Sequence, residues 1–215
     1  MGAPLTGGDA VPLSGPAASS GPAASSGPAA SALSVGFGWT PPEESRADFD
    51  LDASALMLDG AGAVLSEDHF VHFNNPRSPD GSVEHHGKHA GGRHASGKHA
   101  GGETAGVHTE GETIGVDLAA VPERCARIAF PVSIFDAANR GQHFGQVGGV
   151  FVRLARRPDG AELARYDLPA GQDGATAVVM GELDRHGGGW RFRAVGRGHP
   201  GGLREIVLDH GLAAR

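Results

Sequence analysis

Three aspartates alternate along Asp48-Phe-Asp-Leu-Asp52. In an extended strand alternate side chains share one face, spaced roughly 7 Å apart. Like charges so arranged repel one another unless a cation or a basic group neutralises them. A hard cation such as Ca2+ takes about 6–8 oxygen ligands, drawn from carboxylates, amides and backbone carbonyls. The segment does not match the helix–loop–helix calcium loop, which needs glycine at its sixth position, where Ala53 stands. A solvated, charged strand face accounts for the same pattern. A second oxygen-rich cluster follows in Asn74-Asn-Pro-Arg-Ser-Pro-Asp80-Gly-Ser82. Such residues also build turns for purely structural reasons. Together the two clusters hold enough oxygens for one complete site, if the fold brings them together.

A different metal chemistry is offered by histidine. Six of the twelve histidines fall between His85 and His108: His85, His86, His89, His94, His99 and His108. Neutral imidazole suits Zn2+, Ni2+ and Cu2+. Three of the six sit in a five-residue repeat from Gly87 to Gly101, with Lys88, Arg93 and Lys98 beside them. Glycine-rich spacing of this kind does not preorganise a tetrahedral site, and a polar loop that tolerates repeat expansion is the simpler account. At mildly acidic pH the same residues form a cationic patch, suited to an anionic partner or a membrane surface. Nucleophilic chemistry has less to stand on. Asp136 and His143 could form an acid–base pair, but no nucleophile with a partner accompanies them. Cys125 lies beside Arg124 and Arg127, a setting that can lower a thiol pKa, although an ordinary thiol is the simpler account.

The elements that must carry these groups are mostly strands. Ile128, Phe130, Val132 and Ile134 share one parity; Val150, Val152 and Leu154 another; Trp190, Phe192 and Ala194 a third. Period-two patterns indicate strands with one buried face. Further short runs at 33–39, 49–58, 70–73, 114–118, 162–168 and 175–183 are separated by Asp-Gly and Gly-Gly turns. Many short strands so punctuated predict a sandwich. Pro131, inside an apolar run, belongs at a bulge or an edge. Leu203, Ile206, Val207 and His210 have helical spacing and predict a short C-terminal helix within 202–212. The expected fold class is therefore all-β.

Composition divides the chain. It has 215 residues, of which 36 are glycine and 14 proline, and only 39% are hydrophobic. Part must therefore be low in complexity while the rest holds the core. The Gly-Pro-Ala-Ala-Ser-Ser repeat at 15–31 cannot bury enough surface to offset chain entropy and is expected to be a flexible insert. Residues 1–32 are thus a first strand plus this insert, and 33–215 the sandwich, with a disordered His/Gly-rich loop at 85–112. A formal net charge of -7 argues against nucleic acid as the main partner. With one cysteine, no intrachain disulfide forms. No secretory signal or spanning apolar run is seen, so the expected location is the cytoplasm.

The ordered series Phe49-Asp-Leu-Asp-Ala-Ser54, Phe73-Asn-Asn, Ser78-Pro-Asp-Gly-Ser-Val83, Val116-Asp-Leu118, Arg140-Gly-Gln-His-Phe-Gly-Gln-Val147, Glu162–Leu168 and Phe192–Gly196 resembles the tellurium-resistance TerD family. The resemblance spans Leu33 to Leu212 outside the His-rich insert. Leu5-Thr-Gly-Gly and Val11-Pro-Leu resemble the family's first strand. It implies a β-sandwich with calcium-binding loops at one end and a short C-terminal helix. The implied role is tellurium resistance and general stress response, without an enzymatic activity, with Ca2+ as cofactor and other stress-response proteins at a membrane surface as partners. Carried over by position, Asp50, Asp52, Asn74, Asn75, Asp80 and Ser82 match the metal loops, Gly81 offers a carbonyl, and Glu112 matches a terminal glutamate. Relatives carry Gly-Asp-Asn where this chain has Gly87-Lys88-His89. A lysine at that position repels a cation, which argues against a second calcium site and for weaker binding at the first. Oligomeric state is not legible.

Overall fold

Alternation in the apolar runs resolves into thirteen strands and two helices in a computed structural model, which describes residues 3–13, 31–40, 49–88, 110–157 and 159–213. Asp48, the Gly-Pro-Ala-Ala-Ser-Ser repeats and His89, His94, His99 and His108 lie outside these residues. The strands are β1 (Ala3–Leu5), β2 (Ala10–Pro12), β3 (Ala32–Thr40), β4 (Leu51–Ala53), β5 (Ala55–Leu58), β6 (Phe70–Val71), β7 (Val83–Lys88), β8 (Glu110–Asp117), β9 (Arg127–Ile134), β10 (Gly148–Arg156), β11 (Glu162–Asp167), β12 (Ala177–His186) and β13 (Gly189–His199). The helices are α1 (Ala137–Arg140) and α2 (Gly202–Asp209). One sheet runs β1-β11-β10-β3-β8-β7; the other runs β2-β13-β12-β9-β5-β6, with β4 also paired to β9. The chain is an all-β sandwich with a short C-terminal helix.

Between the sheets lies a single apolar core containing Phe37, Ile114 and Val152 from one side and Phe130, Leu183 and Phe192 from the other. A smaller cluster covers the outer face of the second sheet. There Ile206 and Val207 of α2 pack with Leu56, Leu58, Ala129, Ala177 and Val179, so β9 and β12 are apolar on both faces. Among the described residues no helix is long and apolar enough to cross a membrane.

Two expectations are refined. The segment expected as one first strand is two short ones, in different sheets. β1 pairs in parallel with β11, and β2 pairs antiparallel with β13. Pro131 lies in a central strand, not at an edge, and its missing N–H is absorbed by interruptions on both sides. The pairing of β12 with β9 shifts between Val179 and Gly181, beside Pro131. On the other side β4 and β5 break at Ser54, whose N–H donates to the Pro131 carbonyl at 2.9 Å. A residue without a donor is thereby accommodated where the ladder is already broken.

Candidate functional site

At one end of the sandwich three carboxylates from the two sheets meet around one ammonium group. Asp50 precedes β4, and its carbonyl accepts the Phe135 N–H at 2.8 Å, which fixes the backbone. Asp52 lies in β4, opposite Ser133 of β9. Glu112 comes from β8 of the other sheet, facing Phe37 of β3 on one side and Lys88 of β7 on the other. The Lys88 Nζ donates to Asp50 Oδ1, lies 2.9 Å from Asp52 Oδ1 and 3.8 Å from Glu112 Oε1. Glu112 is only 1% exposed. Its Oε2 accepts the Ala53 N–H at 2.5 Å and sits 3.3 Å from His85 Nε2. Its Oε1 is buried without a hydrogen-bond partner.

Charge and burial compete here. Burial raises the Asp52 pKa, and the hydrogen bond from Lys88 only partly offsets that rise. Burial would lower the Lys88 pKa, but its hydrogen bonds to Asp50 and Asp52 more than compensate and hold it above the usual lysine value.

Lys88 reaches the cluster because of a bulge. Val83 and His85 are buried along β7 while Glu84 and His86 are exposed, so strict alternation would put Lys88 outward. Gly87 instead adopts a left-handed conformation, φ +77°, and the pairing with β8 shifts between His85 and Lys88. Glycine enters that region at no steric cost. The bulge re-aims the next side chain, and Lys88 turns to the carboxylates.

The second oxygen-rich cluster divides: Phe73, next to Asn74, lines a concavity with Asp52, whereas the Ser78–Ser82 turn lies at the far end of β7. The Ser82 carbonyl accepts the Asp117 N–H and Val83 faces Val116, whereas Lys88 faces Glu112. Ser82, just before β7, and Lys88, at its end, are thus up to roughly 20 Å apart at the strand rise. Asp80 is engaged locally: it accepts from the Ser78 hydroxyl at 3.1 Å and the Ser82 N–H at 2.8 Å, and lies 3.3 Å from His69 Nε2. Burial alone would raise its pKa; the Ser82 and Ser78 bonds outweigh it and hold the carboxyl below its usual range. Gly81, φ +71°, closes the turn by donating to the Ser78 carbonyl at 2.8 Å. The Asn75 amide donates to the Asp68 and Phe70 carbonyls, and the Asn74 N–H to His72 Nδ1. Asp80 and Gly81 are engaged in their own turn and the Asn75 amide in bonds to the Asp68 and Phe70 carbonyls, while the Ser82 hydroxyl is buried without a hydrogen-bond partner. Of the expected ligands, the structure brings together Asp50, Asp52 and Glu112. The sequence offered His85 only as a transition-metal ligand and Lys88 only as a repulsive substitution, not as neighbours of Glu112; Gly87 was the signal for the inward turn of Lys88.

Other candidates separate from chemistry. A concavity of about 360 Å3 is lined by Asp52, Phe73, Ser133, Asp136 and Arg204 among others, but His143 is not among its lining residues. The imagined acid–base pair therefore does not share a pocket. Asp136 has φ +54° and its carboxylate accepts from the Asn139 amide at 2.6 Å, opening α1. Cys125 is a free, fully buried thiol whose pKa burial pushes up to about 11. Its reactivity with a thiol reagent at pH 8 should be far below that of the unfolded chain. A thiol whose folded pKa lies above the unfolded value of 9.0 keeps its stabilising contribution below pH 9 and loses it as pH rises toward 11. Labelling rates with and without denaturant check the first point, and denaturant midpoints between pH 8 and 11 the second. Equal labelling rates in the native and unfolded chain would contradict it.

With this geometry in place, relatives are informative. The family model described as the TerD domain matches residues 22–210. The chain belongs to the TerD family. It is 40% identical over 180 residues to the tellurium resistance protein TerD of Serratia marcescens, covering 84% of this chain and 87% of that one. It is 39% identical over 179 residues to general stress protein 16U of Bacillus subtilis, covering 83% and 86%. Among solved structures, a Streptomyces coelicolor homologue of the telluride resistance protein TerD superposes with a TM-score of 0.58 at 22% identity, covering 86% of this chain and 99% of that one. These TerD relatives are named for resistance and stress, and the two-sheet fold is shared with that structure.

Proposed function

We propose that this chain is a non-enzymatic, cytoplasmic TerD module of tellurium resistance and general stress response that binds Ca2+ through Asp50, Asp52 and Glu112. The observation that carries this reading is Glu112: a fully buried carboxylate with one oxygen unpartnered, facing two further aspartates across the sandwich. Carboxylate oxygens are the donors a hard divalent cation selects. Asp50, Asp52 and Glu112 would hold the ion, which supplies charge neutralisation and ties the two sheets together at this end. Nothing in this role requires a nucleophile, and the buried high-pKa Cys125 offers none at neutral pH.

Calorimetric titration of Ca2+ into the metal-free full-length protein tests the reading. Saturable binding is expected, abolished by the combined Asp52→Asn and Glu112→Gln substitutions and retained by Asp80→Asn. Binding that depends on Asp80 and ignores Asp52 and Glu112 would overturn the assignment.

A further inference from the structure

The three carboxylates are already partly served by a cation that belongs to the chain. Lys88, its side chain about one third exposed, lies within ion-pair distance of all three. Its neutralisation is incomplete. One ammonium charge faces three carboxylates, and the Glu112 Oε1 at 3.8 Å stays beyond hydrogen-bond reach. An ammonium has three donors on a compact head, and two of them are spent on Asp50 and Asp52. A divalent ion of larger coordination number bonds carboxylate oxygens at about 2.3–2.6 Å and takes 6–8 of them, so it would also serve the oxygen that Lys88 leaves unpaired. The ammonium and the ion cannot share the centre, because both need the same Asp50 and Asp52 oxygens and they repel each other.

We infer that Lys88 is a resident counter-ion, so that a divalent cation enters this site by exchange and drives the Lys88 side chain out. The inference rests on the calcium reading above and adds its regulation. The apparent affinity is set by competition with a tethered lysine, which partly neutralises the carboxylates in the metal-free state. The bulge at Gly87 makes exchange feasible. Lys88 is the last residue of an edge strand, and its side chain is about one third exposed, so it has solvent to move into.

Lys88→Met keeps the aliphatic stem and removes the charge. Calcium titrations of the full-length wild type, Lys88→Met and Lys88→Met with Glu112→Gln are compared by calorimetry, and melting temperatures are measured with and without Ca2+. Lys88→Met is expected to bind Ca2+ at least about tenfold more tightly than wild type, since a like charge at contact distance is removed. Without metal it should melt lower than wild type, with Ca2+ restoring the difference, and the double variant should lose both effects. If wild type and Lys88→Met bind Ca2+ equally, the exchange is refuted while the calcium site stands. If neither binds, the calcium reading falls and the exchange with it. A Lys88→Met protein that melts like wild type without metal would refute the resident counter-ion directly.

Discussion

Glu112→Ala is expected to lower the unfolding free energy by about 3 kcal/mol, read as a shift in the denaturant midpoint of the metal-free protein. The carboxylate is buried from both sides of the sandwich, so screening by solvent removes little of the effect. Its Oε2 is the acceptor for the Ala53 N–H of β4 and lies beside His85 Nε2 of β7. Truncation leaves a buried amide without its acceptor, and an unmade buried hydrogen bond costs about 1–3 kcal/mol. It also removes a polar connection between the sheets at this end, leaving the more exposed Lys88 contacts with Asp50 and Asp52. Those contribute less, because exposed ion pairs are worth about 0–1 kcal/mol. Glu112→Gln separates structure from binding. Its amide oxygen can still accept from Ala53, so the fold is expected to lose much less than with alanine, while Ca2+ binding is lost. A Glu112→Ala loss below about 1 kcal/mol would mean that water or a shifted neighbour replaces the carboxylate.

The residues that make this site were legible to different degrees, for physical reasons. Asp50 and Asp52 stand out because strand periodicity puts them on one face, and Glu112 through its place in the family pattern. Lys88 was legible only as a repulsive substitution. Its inward direction depends on Gly87 taking φ +77°, and a glycine in sequence does not announce whether its conformational freedom is used. Asp80 sits in a segment that suits a ligand loop and a turn equally, and its distance from Glu112 rests on the β7–β8 register, a long-range property. Phe151 shows the same limit in the core. It has the parity opposite to Val150, Val152 and Leu154, yet it is 1% exposed, with the Arg165 guanidinium 3.9 Å from its ring centroid. An arginine from a neighbouring strand buries a face that alternation assigns to water. Most strands, the disturbance at Pro131 and the helix at 202–209 were legible from local pattern, but β7 was not: residues 85–88 and 110–112, expected in a disordered His/Gly-rich loop, are strand in β7 and β8.

Gly196→Ala is expected to be the most damaging single methyl added to this fold. β13 carries two residues, Val195 and Gly196, where β12 carries only Met180, because the pairing runs Val179 with Arg197 and then Gly181 with Ala194. Gly196 makes this bulge with φ +66°, a conformation that L side chains resist. Its missing Cβ also makes room for another side chain: a methyl there would overlap the hydroxyl end of Tyr166, which is 2% exposed and projects from β11 of the other sheet. Tyr166 cannot easily yield, because β11 is fixed between β1 and β10. Backbone strain and overpacking therefore add, for an expected loss of about 2–4 kcal/mol in chemical denaturation. The two contributions can be told apart. Tyr166→Phe removes the overlapping oxygen, so in that background Gly196→Ala should cost about 1–2 kcal/mol less if the clash is real. Equal costs in both backgrounds would assign the whole effect to the backbone. Gly8→Ala is the control, with φ +93° but no atom within 4 Å of the added carbon, so it carries conformational strain alone.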